Sequence, residues 1–199
     1  MSLVERIAQA DERGLAASAL ACLDRCLPLL GGDEELLRPL WVSLADGSGW
    51  AADLARARDT LGAAPSAAAE AARLVRGMLD SAPAARTADA VRPWAGACSA
   101  ASLRVHRLLD PAAGRTGDAG ETWDAGETWD AEATEEGDAG DAVGLPPLVA
   151  AELRRQAAVL DLLADHGAQG LRRAREVSAE GRRVLGAVVS RRARGAAEV

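Results

Sequence analysis

Alanine and leucine recur at helical spacing along most of this chain, and this pattern constrains the fold more than any other feature of the sequence. Alanine makes up about a quarter of the residues and is the strongest helix former. The residues that populate strands are scarce, since Phe and Tyr are absent and Ile occurs once, at Ile7. The sequence therefore predicts an all-α protein, an antiparallel bundle of about six or seven helices.

Capping residues and helix breakers divide this pattern into segments. Ser2 followed by Glu5 has the form of a capping box at the start of the first helix. Gly14 predicts a break or bend, Pro39 a kink or the true start of a helix, and Pro93 an interruption. Further helix starts are expected at Asp33, Ser66, Thr87 and Pro146-Pro147, and stops at Gly31-Gly32 and Gly167 to Gly170.

An acidic stretch interrupts the helical pattern at about residues 111–145. Between Thr116 and Ala142 there are ten acidic residues and no basic one. Low hydrophobicity with high net charge is typical of disorder, so we expect a disordered acidic insertion there. The chain then divides into an N-terminal helical bundle at 1–110, the linker at 111–145, and an amphipathic helical hairpin at 146–199 that packs on the bundle.

A hexapeptide, Ala-Gly-Glu-Thr-Trp-Asp, occurs twice in tandem within this stretch, at 119–124 and 125–130. Its two indoles, Trp123 and Trp129, could belong to a linear motif that docks onto a basic, apolar surface. The alternative is a tandem duplication in a segment where insertions cost little, and that interpretation is favoured.

The basic residues are unusual in kind. All 23 are arginine, because Lys is absent, and Asn is absent as well. The missing residue types have AT-rich codons, which indicates a gene from a high-GC bacterium. An all-arginine basic set is therefore weak evidence for phosphate recognition, although arginine suits that role.

Membrane and secretion signals are not apparent. No run of eighteen apolar residues exists to span a bilayer, and the first residues lack a basic region followed by an apolar one. Three cysteines make an odd count without the spacing of a disulfide framework. We expect a cytoplasmic protein with reduced thiols and no membrane span.

Two groups of residues could carry chemistry. Cys22 and Cys26 lie one helical turn apart, but nothing in the spacing completes a four-ligand metal site, so both are expected in the core. Elsewhere four residues recur every fourth position, at Cys98, Ser102, His106 and Asp110. A Ser–His–Asp relay rarely arises on one helix, so we expect a solvated helix face with an i,i+4 His–Asp pair. The sequence predicts no catalytic residue, cofactor or metal.

An arginine face on the last helix is the strongest surface feature. It comprises Arg172, Arg173, Arg175, Arg182 and Arg183. A solvated face is favoured over an anion-binding one. Nucleic-acid binding is disfavoured by the net charge of −7.

These patterns favour a non-enzymatic protein-interaction or regulatory module whose partner is a protein. In one variant, the acidic segment folds over the C-terminal hairpin and screens its charge. The alternative is an enzyme or small-ligand binder with an apolar pocket between helices. Candidate lining residues for such a pocket are Arg38, Arg92, Trp41, Trp50 and Trp94.

Overall fold

A computed structural model of the chain describes residues 1–62, 70–111 and 144–197. Every regular element in these ranges is helical, which confirms the all-α class. The α-helices are α1 (Leu3–Gln9), α2 (Glu12–Cys26), α3 (Arg38–Asp46), α4 (Trp50–Gly62), α5 (Glu70–Asp80), α6 (Ala88–Leu109), α7 (Pro147–His166) and α8 (Leu171–Ala197). Short 3₁₀ turns occupy Leu27–Leu30 and Gly167–Gly170. The predicted cap Ser66, most of the acidic linker, and Trp123 and Trp129 lie outside the described residues.

Several predicted helix starts are confirmed by their capping contacts. The Ser2 hydroxyl accepts a hydrogen bond from the Glu5 amide, and the Glu5 carboxylate accepts one from the Ser2 amide. Thr87 caps α6 in the same way, through the amide of Ala90. Pro39 lies in the first turn of α3, where its missing N–H leaves no helical bond unmade.

Three boundary predictions were wrong. The break expected at Gly14 lies at Ala10, because the Asp11 carboxylate accepts from the Gly14 amide and caps α2. Asp33 instead accepts from the Glu35 amide in a turn, and α3 starts only at Arg38. Pro93 does not interrupt α6, which continues through it to Leu109.

Helix α2 is the centre of the bundle. Every residue from Gly14 to Cys26 is buried, and a helix buried on all sides must be covered by neighbours all round. Helices α6, α7 and α8 supply most of that cover. Alanines at four positions of α2 keep its surface narrow, so these neighbours approach closely; they are Ala16, Ala17, Ala19 and Ala21.

Helices α7 and α8 pack against each other and share one hydrophobic core with the N-terminal helices. Arg155 of α7 lies 3.9 Å from Glu180 of α8, and a Cβ added at Gly181 would lie 3.1 Å from the Arg155 Cδ atom. These contacts set the register of the hairpin. None of the described helices is both long enough and apolar enough to cross a membrane.

Candidate functional site

A fully buried ion pair joins α2 to α7 in the middle of the bundle. The Arg25 Nε atom donates to Oε2 of Glu152 at 2.7 Å, and its Nη2 atom donates to Oε1 at 2.6 Å. Both side chains have no solvent exposure. This two-point geometry is the strongest form of arginine–carboxylate contact, and it fixes the two helices against each other.

Polar side chains of α6 and α7 supply further hydrogen bonds to the same carboxylate. Glu152 Oε1 accepts from the Ser102 hydroxyl at 2.7 Å and from Nε2 of Gln156 at 2.9 Å. The Ser99 hydroxyl then donates to the Gln156 side-chain oxygen at 2.6 Å. We call these residues, with Arg25, the buried polar network. Hydrogen bonds within the network satisfy most of its buried polar atoms, whereas the Nη1 atom of Arg25 is buried without a described hydrogen-bond partner.

His106 borders this network as a neutral imidazole. Its Nδ1 atom lies 2.8 Å from the carbonyl oxygen of Ser102, and since a carbonyl only accepts, Nδ1 carries the proton. Its Nε2 atom lies 3.6 Å from the Glu152 carboxylate. Burial lowers the pKa of His106, and the nearby negative charge of Glu152 opposes that shift without cancelling it.

The prediction of a solvated face on α6 was wrong. All four of its members are buried, including His106 and Asp110, each 2% exposed. Helix α7 covers this face: the Asp110 carboxylate accepts from the Leu148 amide at 2.7 Å, and Ser102 donates to Glu152. The face is polar because it lies against the polar side of α7.

The arrangement on α6 does not form a nucleophile–base pair. His106 faces the backbone carbonyl of Ser102, whereas the Ser102 hydroxyl donates to Glu152. A serine nucleophile requires its hydroxyl proton to be accepted by the base. Among the described residues, no group of three or more His, Cys, Asp or Glu side chains is placed to hold a metal ion.

The three cysteines lie in the core as free thiols. Burial raises the pKa of Cys22 to about 12, and it also raises the pKa of Cys26 and of Cys98. Because the thiolate is the reactive form, these thiols are inert in the folded protein.

Burial and the ion pair with Arg25 have opposite effects on the pKa of Glu152. Burial alone would raise the pKa of this carboxyl, but the Arg25 charge, the neighbouring His106 and the hydrogen bonds from Arg25 and Gln156 together bring it down to about 2. Glu152 is therefore ionised at neutral pH and is held as a fixed charge.

The predicted arginine face on α8 is divided in the structure. Arg182 is turned toward the bundle, where it pairs with buried Asp24 and with Glu34, the latter at 3.0 Å. Arg172 is exposed beside Glu176, one turn away at 3.9 Å. The remaining three, Arg173, Arg175 and Arg183, are exposed or half-buried. These five arginines therefore do not form one uniform anion-binding surface.

A second set of arginines, missed by the sequence reasoning, lies at the C-terminal end of α8. Arg191, Arg192 and Arg194 are all exposed, and no described carboxylate lies within ion-pair distance of them. We call these three residues the arginine end. The available signal was the loss of apolar spacing after Val189, the last apolar residue of α8 that packs against the core.

The hairpin register explains why this end is exposed. Since residue 155 faces residues 180–181 and both helices rise 1.5 Å per residue, the first residue of α7 faces about residue 189 of α8. The last eight residues of α8 thus extend about 12 Å beyond α7. Each side chain from Ser190 to Gly195 is exposed, which agrees with this projection.

The residues suggested as the lining of an apolar ligand pocket take part in core packing, hydrogen bonds or ion pairs. Trp50 and Trp94 pack edge to face in the core, with ring centroids 5.9 Å apart, and Trp41 is also buried. Arg92 donates to carbonyls at the end of α1, and Arg38 pairs with exposed Glu35. An open groove of about 330 Å³ lies instead between α5 and α6, lined by Glu70, Arg73, Leu74, Gly77, Met78, Ser81, Ala97 and Ala101.

Comparisons with protein-family models, with curated proteins and with solved structures found no match for this chain.

Proposed function

We propose that this protein is a non-enzymatic interaction module that binds an acidic protein partner through the arginine end of α8. The observation that carries the proposal is the projection of Arg191, Arg192 and Arg194 beyond the bundle without a described acidic neighbour. Guanidinium groups form two-point hydrogen bonds with carboxylates, so a partner with clustered Asp or Glu side chains fits this surface.

The helix that carries these arginines gains from being bound. Its last two turns have no apolar side to pack, and short helical segments are marginal in water without packing. Positive charge near a helix C-terminus is favourable, but three arginines within four positions repel one another. A carboxylate-rich partner would relieve that repulsion.

The use of the reactive side chains supports a binding role over a catalytic one. Ser102, His106 and Glu152 hydrogen-bond or lie against one another within the core, and the cysteines are buried with raised pKa values. These groups stabilise the bundle. A cytoplasmic location belongs to the same proposal, because free thiols persist in a reducing compartment.

The charge of the protein favours an acidic peptide segment over DNA as the partner. A net charge of −7 repels long polyanions such as DNA, whereas a short acidic peptide segment meets only the local field of the arginine end. Leu108 and Leu145 are 37% and 42% exposed; Leu108 lies in the last turn of α6, and Leu145 lies two residues before α7. They offer apolar contact area at this end of the bundle.

The test uses the full chain and a fluorescent octaglutamate peptide as the probe. We expect salt-sensitive binding that weakens about tenfold in the variant Arg191→Ala/Arg192→Ala/Arg194→Ala, since exposed ion pairs contribute up to about 1 kcal/mol each. The matched control removes three exposed arginines elsewhere, Arg56→Ala/Arg73→Ala/Arg172→Ala, and should bind as the wild type does.

Two results would contradict the proposal. In the first, both triple variants bind octaglutamate equally well, so that the site of binding is not the arginine end. In the second, a single-stranded oligonucleotide of the same charge binds more tightly than octaglutamate and depends on the same three arginines. That result would assign the surface to nucleic acid.

A further inference from the structure

We propose that the resident occupant of the arginine end is the acidic segment Thr116–Ala142 of the same chain. The inference rests on the proposed function, because it takes the arginine end as a docking surface, and it adds how that surface is regulated. An external acidic partner would then bind by displacing the segment.

The acidic segment joins the described structure at the end of the bundle that carries the arginine end. Its upstream side leads from Pro111, just after α6, and its downstream side leads into Gly144, just before α7. The Asp110 carboxylate accepts from the Leu148 amide, so the two attachment points lie at the same end of the bundle. By the register of the α7–α8 hairpin, this is also the end from which residues 190–197 project.

The segment is also long enough to reach the arginine end. Asp130 is fourteen residues before Gly144, and fourteen extended residues reach at most about 50 Å. The projecting part of α8 is only about 12 Å long and begins beside the start of α7. Acidic residues throughout the segment can therefore reach the arginine end without any displacement of the helices.

The segment and the C-terminal part of α8 also carry charges of opposite sign. The segment carries ten acidic residues and no basic one, whereas residues 181–199 carry five arginines and one acidic residue, Glu198. Arg182 already has acidic partners, which leaves the arginine end and Arg183 for the segment. A short tether raises the effective concentration to about millimolar, so weak individual ion pairs suffice to keep the surface occupied.

A chemical property of the chain makes this contact directly measurable. The sequence contains no lysine, so the full-length variant Arg192→Lys has one side-chain amine in the whole protein. A carbodiimide joins an amine to a carboxylate only where the two are in direct contact. Proteolysis and mass spectrometry then identify which carboxylates are linked, and the α-amine of Met1 is distinguished by its own peptide.

The matched control is Arg172→Lys, on the same helix and also exposed to solvent. Residue 172 lies about 30 Å from residue 192 along α8, near the opposite end of the hairpin. Replacing an exposed arginine by lysine preserves charge and leaves the core intact, so both variants should fold.

We expect Arg192→Lys to give at least tenfold more cross-linking to residues 118–141 than Arg172→Lys, which should link to its neighbour Glu176. The yield should fall at high salt and should not depend on protein concentration. Mixing isotopically labelled and unlabelled chains should give links within one chain. Equal yields from the two variants, or links mainly between chains, would overturn the inference.

Failure of this inference can be told apart from failure of the proposed function. If Arg192→Lys links to no residue of the segment while octaglutamate binding still requires the arginine end, the surface binds an external partner and is not self-occupied. If octaglutamate binding is independent of the arginine end, the proposed function itself is wrong.

Discussion

The guanidinium of Arg25 and the carboxylate of Glu152 form a two-point ion pair across 127 residues of chain, with neither group exposed to solvent. Removing two charges from water is costly, and the Coulomb attraction between them offsets that cost only when the remaining hydrogen bonds are also made. Ser102 and Gln156 make them for the carboxylate. The pair therefore contributes to specificity, since it fixes how α7 lies against α2.

The ion pair should be highly sensitive to loss of one partner. We expect Glu152→Gln to lower the free energy of unfolding by about 3–5 kcal/mol, because it leaves the Arg25 charge buried and uncompensated. Urea denaturation measures this. Glu35→Gln at the exposed Glu35–Arg38 pair is the control and should change stability by less than about 1 kcal/mol.

A double-mutant cycle separates pairing from burial. The double variant Arg25→Met/Glu152→Leu removes both charges. Its loss of unfolding free energy should be at least about 1 kcal/mol smaller than the losses of the single variants Arg25→Met and Glu152→Leu added together. Additive losses would show that the two side chains act independently, contrary to the geometry.

Stability should decrease in acid because of Glu152. Its pKa is about 2 in the folded protein and 4.5 ordinarily, so the unfolded state takes up the proton first as the pH falls. The stabilisation, about 3 kcal/mol, is fully present above pH 4.5 and is lost between pH 4.5 and 2. Denaturation midpoints measured across this range should fall, and Glu152→Gln should remove this part of the slope.

Protonation of His106 should also lower the stability of the fold as the pH falls, but at a higher pH than protonation of Glu152. The pKa of His106 lies below the ordinary 6.5 because burial disfavours the imidazolium, so the unfolded state again binds the proton first. Its contribution is complete above pH 6.5 and decreases as the pH falls below that value. The charges around His106 are Glu152, Arg25 and Arg155. His106→Gln should flatten the stability profile just below pH 6.5; an unchanged profile would contradict this assignment.

Substitution by alanine should have opposite effects on stability at two glycines of α8. A Cβ at Gly181 would overlap Cδ of Arg25 and lie 2.9 Å from its Cγ, on a side chain that Glu152 holds in place. We expect Gly181→Ala to cost about 1–3 kcal/mol. At Gly186 the nearest atom is Cγ of Pro28 at 3.7 Å, so Gly186→Ala should gain up to about 1 kcal/mol from helix propensity. Comparing the thermal unfolding of the two variants tests the close approach of Arg25 to Gly181.

The sequence predicted the helices better than it predicted their polar faces. Spacing and capping residues act locally, so the start of α1 at Ser2 and of α6 at Thr87 could be read directly. The burial of His106 depends instead on α7, which follows forty residues later and brings Glu152 against it. Polar residues on one helix face look solvated until the partner helix is known.

The pairing of Arg25 with Glu152 could not be predicted from the sequence for the same reason. Arg25 lies between two cysteines on a helix that is buried on every side, and this could have indicated a buried charge in need of a partner. Nothing local identifies Glu152 as that partner, because a single sequence does not report contacts between distant residues. Arg182 was misplaced for the same reason: its partners, Asp24 and Glu34, belong to the N-terminal helices and the turn that follows them.

Thiol labelling should report global unfolding of the bundle. Cys22, Cys26 and Cys98 are buried with raised pKa values, so a thiol reagent reaches them only when the core opens. Native protein should react slowly with Ellman's reagent, and all three thiols should react at once in guanidinium.

Glu152→Gln should then accelerate labelling about a hundredfold or more, since 3 kcal/mol of lost stability raises the population of the open state by that factor. Gly186→Ala should not accelerate it, because that variant leaves the network intact. Fast labelling of the wild-type protein would mean that the thiols become accessible through local motion, and that the network around Glu152 does not close the core.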